Sequence, residues 1–209
     1  MRYLVAVVML LVAMSSSQAS AESTFDLYYG QVSTEQGTFT YTDSGGFSVS
    51  TTDNFSERPA FGMRATNWFT GNPNLGIAVD MSYFRPEGQV TSVDTLPLSL
   101  LFAIRAPAGP TFPTRGNGFV YFSAGPSLFF FDVHARLPFD DTFKGLGADV
   151  GLDARAGINW RVTDDMAFFV EYRHTRFEVD GTYVGFFGWG SETITMEIES
   201  DHINFGISF

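Results

Sequence analysis

The chain has 209 residues, with 12 Lys and Arg against 23 Asp and Glu for a formal net charge of −11, 16% aromatic residues, 21 Gly and no Cys. An acid excess of this size excludes nucleic acid as an expected partner. Without Cys there are no disulfides and no thiolate metal sites, so stability has to come from burial and backbone pairing, and the length fits one domain.

Residues 1–21 read as a cleavable secretory signal, with Arg2 as the positive start, Tyr3 to Met14 as the apolar stretch and Ala19-Ser20-Ala21 as the cleavage site. Cleavage after Ala21 leaves a mature domain of residues 22–209, and no Cys follows to carry a lipid anchor. Beyond the signal no run of about 18 apolar residues offers a transmembrane helix. Abundant Gly and aromatics without helical periodicity predict an all-β chain.

Eight segments alternate between apolar and polar residues: 24–32, 58–69, 75–85, 95–105, 118–131, 147–161, 166–178 and 199–209. The first sets Phe25, Leu27 and Tyr29 against Asp26; the second sets Phe61, Met63, Ala65 and Phe69 against Arg64; the third sets Leu75, Ile77, Val79, Met81 and Tyr83 against Asp80. Leu96 to Ile104 and Val120 to Phe130 continue the pattern, although Pro97 and Pro126 interrupt it and are expected at edges or bulges. In the sixth, Ala148, Val150, Leu152, Ala154, Ala156 and Ile158 oppose Asp149, Asp153 and Arg155. The seventh sets Met166, Phe168, Val170 and Tyr172 against Glu171 and Arg173, and the last sets Ile203, Phe205, Ile207 and Phe209 against His202 and Asn204.

Successive strand side chains point to opposite faces, and an even number of such strands closes an up-and-down barrel. No helix is available to cover the apolar faces. Arg or Lys at a bilayer midplane costs roughly 2–4 kcal/mol, so the apolar sets must face lipid and the charged sets the interior. The sequence therefore predicts an all-β, eight-stranded antiparallel transmembrane barrel. A soluble barrel of the lipocalin kind would need the opposite facing. With the N-terminus in the periplasm, residues 33–57, 86–94, 132–146 and 179–198 become extracellular loops, while 70–74, 106–117 and 162–165 become periplasmic turns. Within the first loop, Thr38 to Thr42 and Phe47 to Ser50 flank Ser44-Gly-Gly46 as a hairpin.

These features, with the aromatic end His202-Ile-Asn-Phe-Gly-Ile-Ser-Phe209 and the stretch Val170-Glu-Tyr-Arg-His-Thr-Arg-Phe177, resemble the small bacterial outer-membrane β-barrel family that includes outer-membrane protein A-like and opacity-type barrels. The resemblance implies the bacterial outer membrane, contact with its lipids and lipopolysaccharide, and Phe209 as the signal read by the barrel-assembly machinery. It implies no activity, because the family holds structural barrels, adhesins, pores and a few enzymes.

The first candidate site is the lumen, where Asp26, Asp80, Asp149, Asp153 and Glu171 meet Arg64, Arg105, Arg155 and Arg173, with His202. Eight strands leave room only for side chains, so a paired plug is expected rather than an open channel. Arg58, Arg85, Arg136, Lys144 and Arg176 fall near the outer ends of strands and form a candidate rim for lipopolysaccharide phosphates. His174 invites comparison with lipid A deacylases, but Arg176 stands where a Ser is needed and Gly188 lies near the acid position. Thr175 points to the opposite face from His174. No N-terminal amphipathic helix of the lipid A palmitoyl transferase kind precedes the first strand. Asp132, His134, Asp140 and Asp141 do not reach the ligand count of a metal site, and no cofactor is expected. The aromatics Tyr183, Phe186, Phe187 and Trp189 belong to a membrane-interface or binding loop. A non-enzymatic scaffold that displays loops is the leading expectation. A small-solute pore and a lipid A-modifying enzyme are its alternatives, and the extracellular partner is unknown.

Overall fold

In the computed structural model, which describes residues 20–34, 37–42, 48–89, 91–108, 118–136, 142–184 and 191–209, the chain forms ten strands. These are β1 (Ser20–Thr34), β2 (Gly37–Thr42), β3 (Ser48–Asp53), β4 (Arg58–Phe69), β5 (Asn72–Phe84), β6 (Thr91–Pro107), β7 (Gly118–Arg136), β8 (Thr142–Arg161), β9 (Ala167–Val184) and β10 (Ser191–Ser208). Antiparallel pairing runs from β1 through β4 to β10, and β1 also pairs with β10. Eight strands therefore close on themselves as the alternation predicts. Closure leaves no edge amide exposed to hydrocarbon, where it would find no partner.

A ring of directly paired residues shows how the strands lean. Ser23 pairs with Asn67, and the ring continues through Ile77, Phe102, Ala124, Ala154, His174 and Asp201. It returns to β1 at Ser33, well above Ser23. This climb is the shear of the barrel, and it requires tilted strands.

Pro97 and Pro126 produce no bulge. The β5–β6 ladder breaks between Met81–Leu98 and Phe84–Thr95, and the β6–β7 ladder between Ser99–Ser127 and Phe102–Ala124. Both resume in the same register. Each ring removes one donor, and the neighbouring pairs hold the alignment.

The largest departure from the sequence reading lies at the end of the barrel opposite the short turns. Two stretches expected as loops, 132–146 and 179–198, are strand wherever they are described, and the third, 86–94, is strand from Thr91 on, because β6 to β10 run on through them. Alternation persists there with its sense reversed. On β9 the inward residues change from Glu171, Arg173 and Thr175 to Phe177 and Val179, while the outward ones change from Phe168 and Tyr172 to Arg176 and Glu178. On β10 the inward series His202 and Ser200 gives way to Ile198 and Met196, and outward Ile203 gives way to Asp201, Glu199 and Glu197. The inward residues Phe84, Val93, Phe129, Phe131, Phe177 and Ile198 belong to one buried apolar cluster, in which Phe129 stacks on Phe177 at 4.2 Å. The barrel thus changes solvent along its length. Where lipid surrounds it the outside is apolar, and where water surrounds it the core is.

The expected hairpin is present as β2 and β3, and the turn residues 43–47 lie outside the described residues. β2 pairs with β10 at Thr193–Glu197, beyond the end of β1, and so extends the wall. Buried Asp53 at the end of β3 accepts the Gln89 amide at 2.9 Å, which ties the hairpin to the β5–β6 connection. At the other end the turns after β4 and β8 are short, as predicted.

Interior aromatics lie over glycines of the next strand. Tyr28 faces Gly62, Tyr121 faces Gly157, Phe169 faces Gly206 and Phe131 faces Gly147 in direct cross-strand pairs. A Cβ at any of these glycines would run into the partner's side chain. Each glycine is therefore required by volume. Overpacking of this kind costs about 1–3 kcal/mol, so Gly157→Val is expected to lower stability by that amount, read from the urea midpoint of the folded barrel in detergent.

Candidate functional site

In the membrane-facing part of the barrel, the inward charged residues converge on Asp153. Its carboxylate accepts from Arg155 Nε at 2.9 Å and Nη2 at 2.8 Å, from Arg173 Nη2 at 2.8 Å and from the Ser99 hydroxyl at 2.6 Å. Arg155 reaches across to Asp80 with Nη1 at 2.7 Å, and the Tyr28 hydroxyl donates to the same Asp80 at 2.9 Å. Arg173 also donates to Ser82 Oγ at 2.6 Å. A second group is built on Arg64, which donates to Asp26 at 2.7 Å and to Glu171. Glu171 further accepts from Tyr121 at 2.9 Å and from Asn204 Nδ2 at 3.3 Å. Arg155 Nη1 lies 3.5 Å from Glu171 and links the two groups.

Seven of the ten residues expected in the lumen network are joined in it: Asp26, Arg64, Asp80, Asp153, Arg155, Glu171 and Arg173. Arg155, Arg173, Asp80 and Glu171 have essentially no solvent exposure. Four carboxylates meet three guanidiniums, and donors from Tyr28, Tyr121, Ser99 and Asn204 hold the remaining acceptor positions. None of these four was expected in the network, although the alternation had already turned Asn204 inward. Their inward register beside the charged positions was the available signal.

The other three residues are placed differently. Arg105 lies at the short-turn mouth, donating to Glu22 at 2.7 Å and to the Pro73 carbonyl at 2.9 Å, with its guanidinium 4.1 Å from the Trp68 ring centre. It closes that mouth instead of joining the network. Asp149 sits higher on β8 and accepts the Glu178 amide at 2.8 Å. His202 is inward and fully buried but touches the apolar layer, its ring edge-on to Phe84 at 4.8 Å, with neither ring nitrogen hydrogen-bonded among the described residues. It marks the boundary between the two layers.

A cavity beside the network is lined by Asp26, Arg64, Trp68, Tyr121, Ser123 and Asn159, and the Arg105 guanidinium lies over its Trp68 and Phe119 rings. Trp68 Nε1, Ser123 Oγ and Asn159 Oδ1 are buried there without protein partners. Buried polar atoms of this kind are satisfied by internal water.

On the outside, the expected cationic rim is neutralised where it is described. Arg58 pairs with Glu87 at 2.5 Å, Arg85 lies 3.8 Å from Asp94, and Arg176 pairs with Glu197. The backbones of Arg136 and Lys144 pair with Thr142 and His134, and their side chains lie outside what is described. His174 points outward as expected, its Nδ1 2.9 Å from Asp201 and its Nε2 3.2 Å from Glu199, while Thr175 is buried inside. Carboxylates occupy both ring nitrogens, which leaves neither facing a hydroxyl nucleophile. His134 and Asp132 are 3.5 Å apart, and no group of three metal-ligating residues occurs among the described residues. Asp140, Asp141, Phe186, Phe187 and Trp189 lie outside the described residues, as does the side chain of Tyr183. Phe209 exchanges two backbone hydrogen bonds with Phe25, both 2.9 Å, and so seals the seam between first and last strands.

A closed eight-stranded barrel with an apolar belt and a charged, side-chain-filled interior is a transmembrane β-barrel. The sequence matches the outer membrane protein beta-barrel domain model over residues 6–209, and the chain belongs to that family, whose location is the bacterial outer membrane. No curated protein matches the sequence. Among solved structures it is similar to the outer membrane protein OprG from Pseudomonas aeruginosa, with 13% identity, a TM-score of 0.62 and coverage of 92% of this chain and 98% of that one. It is also similar to the outer membrane protein AlkL in lipid bilayers, with 15% identity, a TM-score of 0.55 and coverage of 93% and 92%. At these identities the likeness is one of fold.

Removing one partner of a buried ion pair costs about 3–5 kcal/mol, because the other is left uncompensated. Arg155→Met is expected to destabilise the barrel by that order, and Arg155→Lys by less, since Lys keeps the charge but loses the two-pronged contact with Asp153. Urea unfolding in detergent micelles, followed by loss of the heat-dependent gel shift, measures both.

Proposed function

We propose that the protein is a non-enzymatic outer-membrane barrel with a closed interior, acting as an envelope scaffold and displaying its tall strand wall to the exterior for surface interaction or adhesion. The short-turn end is periplasmic, as such barrels prefer. Export proceeds with removal of residues 1–21, although β1 already begins at Ser20, and the barrel-assembly machinery reads the strand ending at Phe209. Outer-membrane lipids and lipopolysaccharide surround the belt, with the charges near Arg58, Arg85 and Arg176 at their headgroups.

One observation supports the closed interior above all. The Asp153–Arg155–Arg173 cluster is buried from solvent, and the apolar layer of Phe84, Phe129 and Phe177 blocks the way beyond it. Two successive layers of unlike chemistry have to part before a solute passes. The cavity beside Arg64, with its buried polar atoms that lack protein partners, favours a small-solute pore as the second reading.

Planar-bilayer recording separates the two readings. The full-length barrel is expected to give no discrete openings, and steady unitary currents altered by Arg64→Ala or Asp153→Ala would establish the pore. Lipid A mass spectrometry is expected to show the same acyl pattern with and without the protein, whereas a changed pattern lost on His174→Ala would establish an enzyme.

A further inference from the structure

β6, β7, β9 and β10 each turn a polar outer face to solvent as they rise beyond the belt, through Asp94, through Asp132 and His134, through Arg176 and Glu178, and through Glu197 and Glu199. β8 does not. Its outward series continues upward from Ala154 and Leu152 through Val150 and Ala148 to Leu146. Leu146 is 86% exposed, Val150 68% and Leu152 67%, more than any other large apolar side chain described. Leu128 and Phe130 of β7 stand directly beside Val150 and Ala148 and widen the strip.

The inner face of β8 explains why the strand cannot invert. Gly147, Asp149 and Gly151 face inward there, and the space above the two glycines is filled by the Phe131 ring over Gly147 and by the Phe129 ring and Phe177 Cβ over Gly151. With the interior volume already taken, the apolar residues of β8 have no inside to turn to. The strip is also continuous with the lipid-facing belt below it, and no polar outward residue separates Leu146 from Ile158.

We propose that acyl chains of the outer leaflet rise along β7 and β8 as far as Leu146, so that the hydrocarbon boundary stands higher on that side than on β9 and β10. A second copy of the chain is the weaker occupant. A stable interface needs about 800 Å² per partner, and this strip is little more than one strand wide between Asp132 and His134 on one flank and Arg176 and Glu178 on the other. Lipid chains need no such area, since they pack against a narrow strip as an extension of the belt.

The chain has no Cys, so single-site nitroxide labels can be placed without background. Leu146→Cys and Val150→Cys test the strip in lipid vesicles, with Phe205→Cys as the lipid reference and Glu197→Cys as the water reference. The ratio of oxygen to nickel-chelate accessibility at positions 146 and 150 is expected to approach that at 205 and to exceed that at 197 several-fold. Ratios equal to that at 197 would overturn the proposal, as would rapid disulfide dimers of Val150→Cys at low protein-to-lipid ratio, which would give the strip to a second copy. An unchanged heat-dependent gel shift confirms that each labelled barrel is folded.

Discussion

Asp153 accepts hydrogen bonds from two arginines and a serine in a space with no room for bulk water, and the rest of the barrel has to be in register for this to happen. A buried charge without its partner costs more than the pair contributes. The partners come from every strand of the barrel: Asp26 and Tyr28 from β1, Arg64 from β4, Asp80 from β5, Ser99 from β6, Tyr121 from β7, Asp153 and Arg155 from β8, Glu171 and Arg173 from β9, and Asn204 from β10. A slip of one residue on any strand would swing its whole inward set into lipid. The network thus specifies register, a service that ladder hydrogen bonds alone, identical at every offset, do not provide.

Beyond the membrane the same strands meet the opposite demand. Water outside removes the reason for an apolar exterior, and the only surface left to bury is the one facing in. Phe129, Phe131 and Val133 on β7 occupy the same inward positions as Ser123 and Ser127 lower down. The side chains change and the facing does not. The extension therefore carries its own apolar core, a source of stability independent of the charge network below it. His202, with Phe84 on one side and Arg173 opposite it in the β9–β10 ladder, sits where the two cores meet.

Much of this was legible in the residues, because a period of two with charges on one set only has one low-cost arrangement in a bilayer. Strand count, facing and seven network members follow from that rule. The strand extensions were obscured by the same rule: the segments ended at 131, 178 and 199, where the outer face turns charged and the pattern no longer matches a membrane strand. Phe129-Phe-Phe131 was the visible clue, since consecutive aromatics on both faces mark the point where the inner face has already become apolar. Arg105 and Asp149 share the inward parity of the network but not its height, and height depends on shear, which no single strand encodes.

Putting the charges inside also bears on how the chain reaches its membrane. An uninterrupted apolar stretch of about 18 residues is read as a transmembrane helix, and a barrel strand apolar on both faces would approach that limit when joined to its neighbour by a short turn. Inward Asp, Arg, Ser and Asn break each strand before the limit is reached. In β7, where apolar residues do accumulate on both faces, the run from Leu128 to Phe131 is stopped at once by Asp132. One alternating set of residues thereby keeps the chain exportable, fixes the register of the folded barrel and closes its interior. The inversion above it can use apolar inner residues because the outer face there supplies the interrupting charges instead.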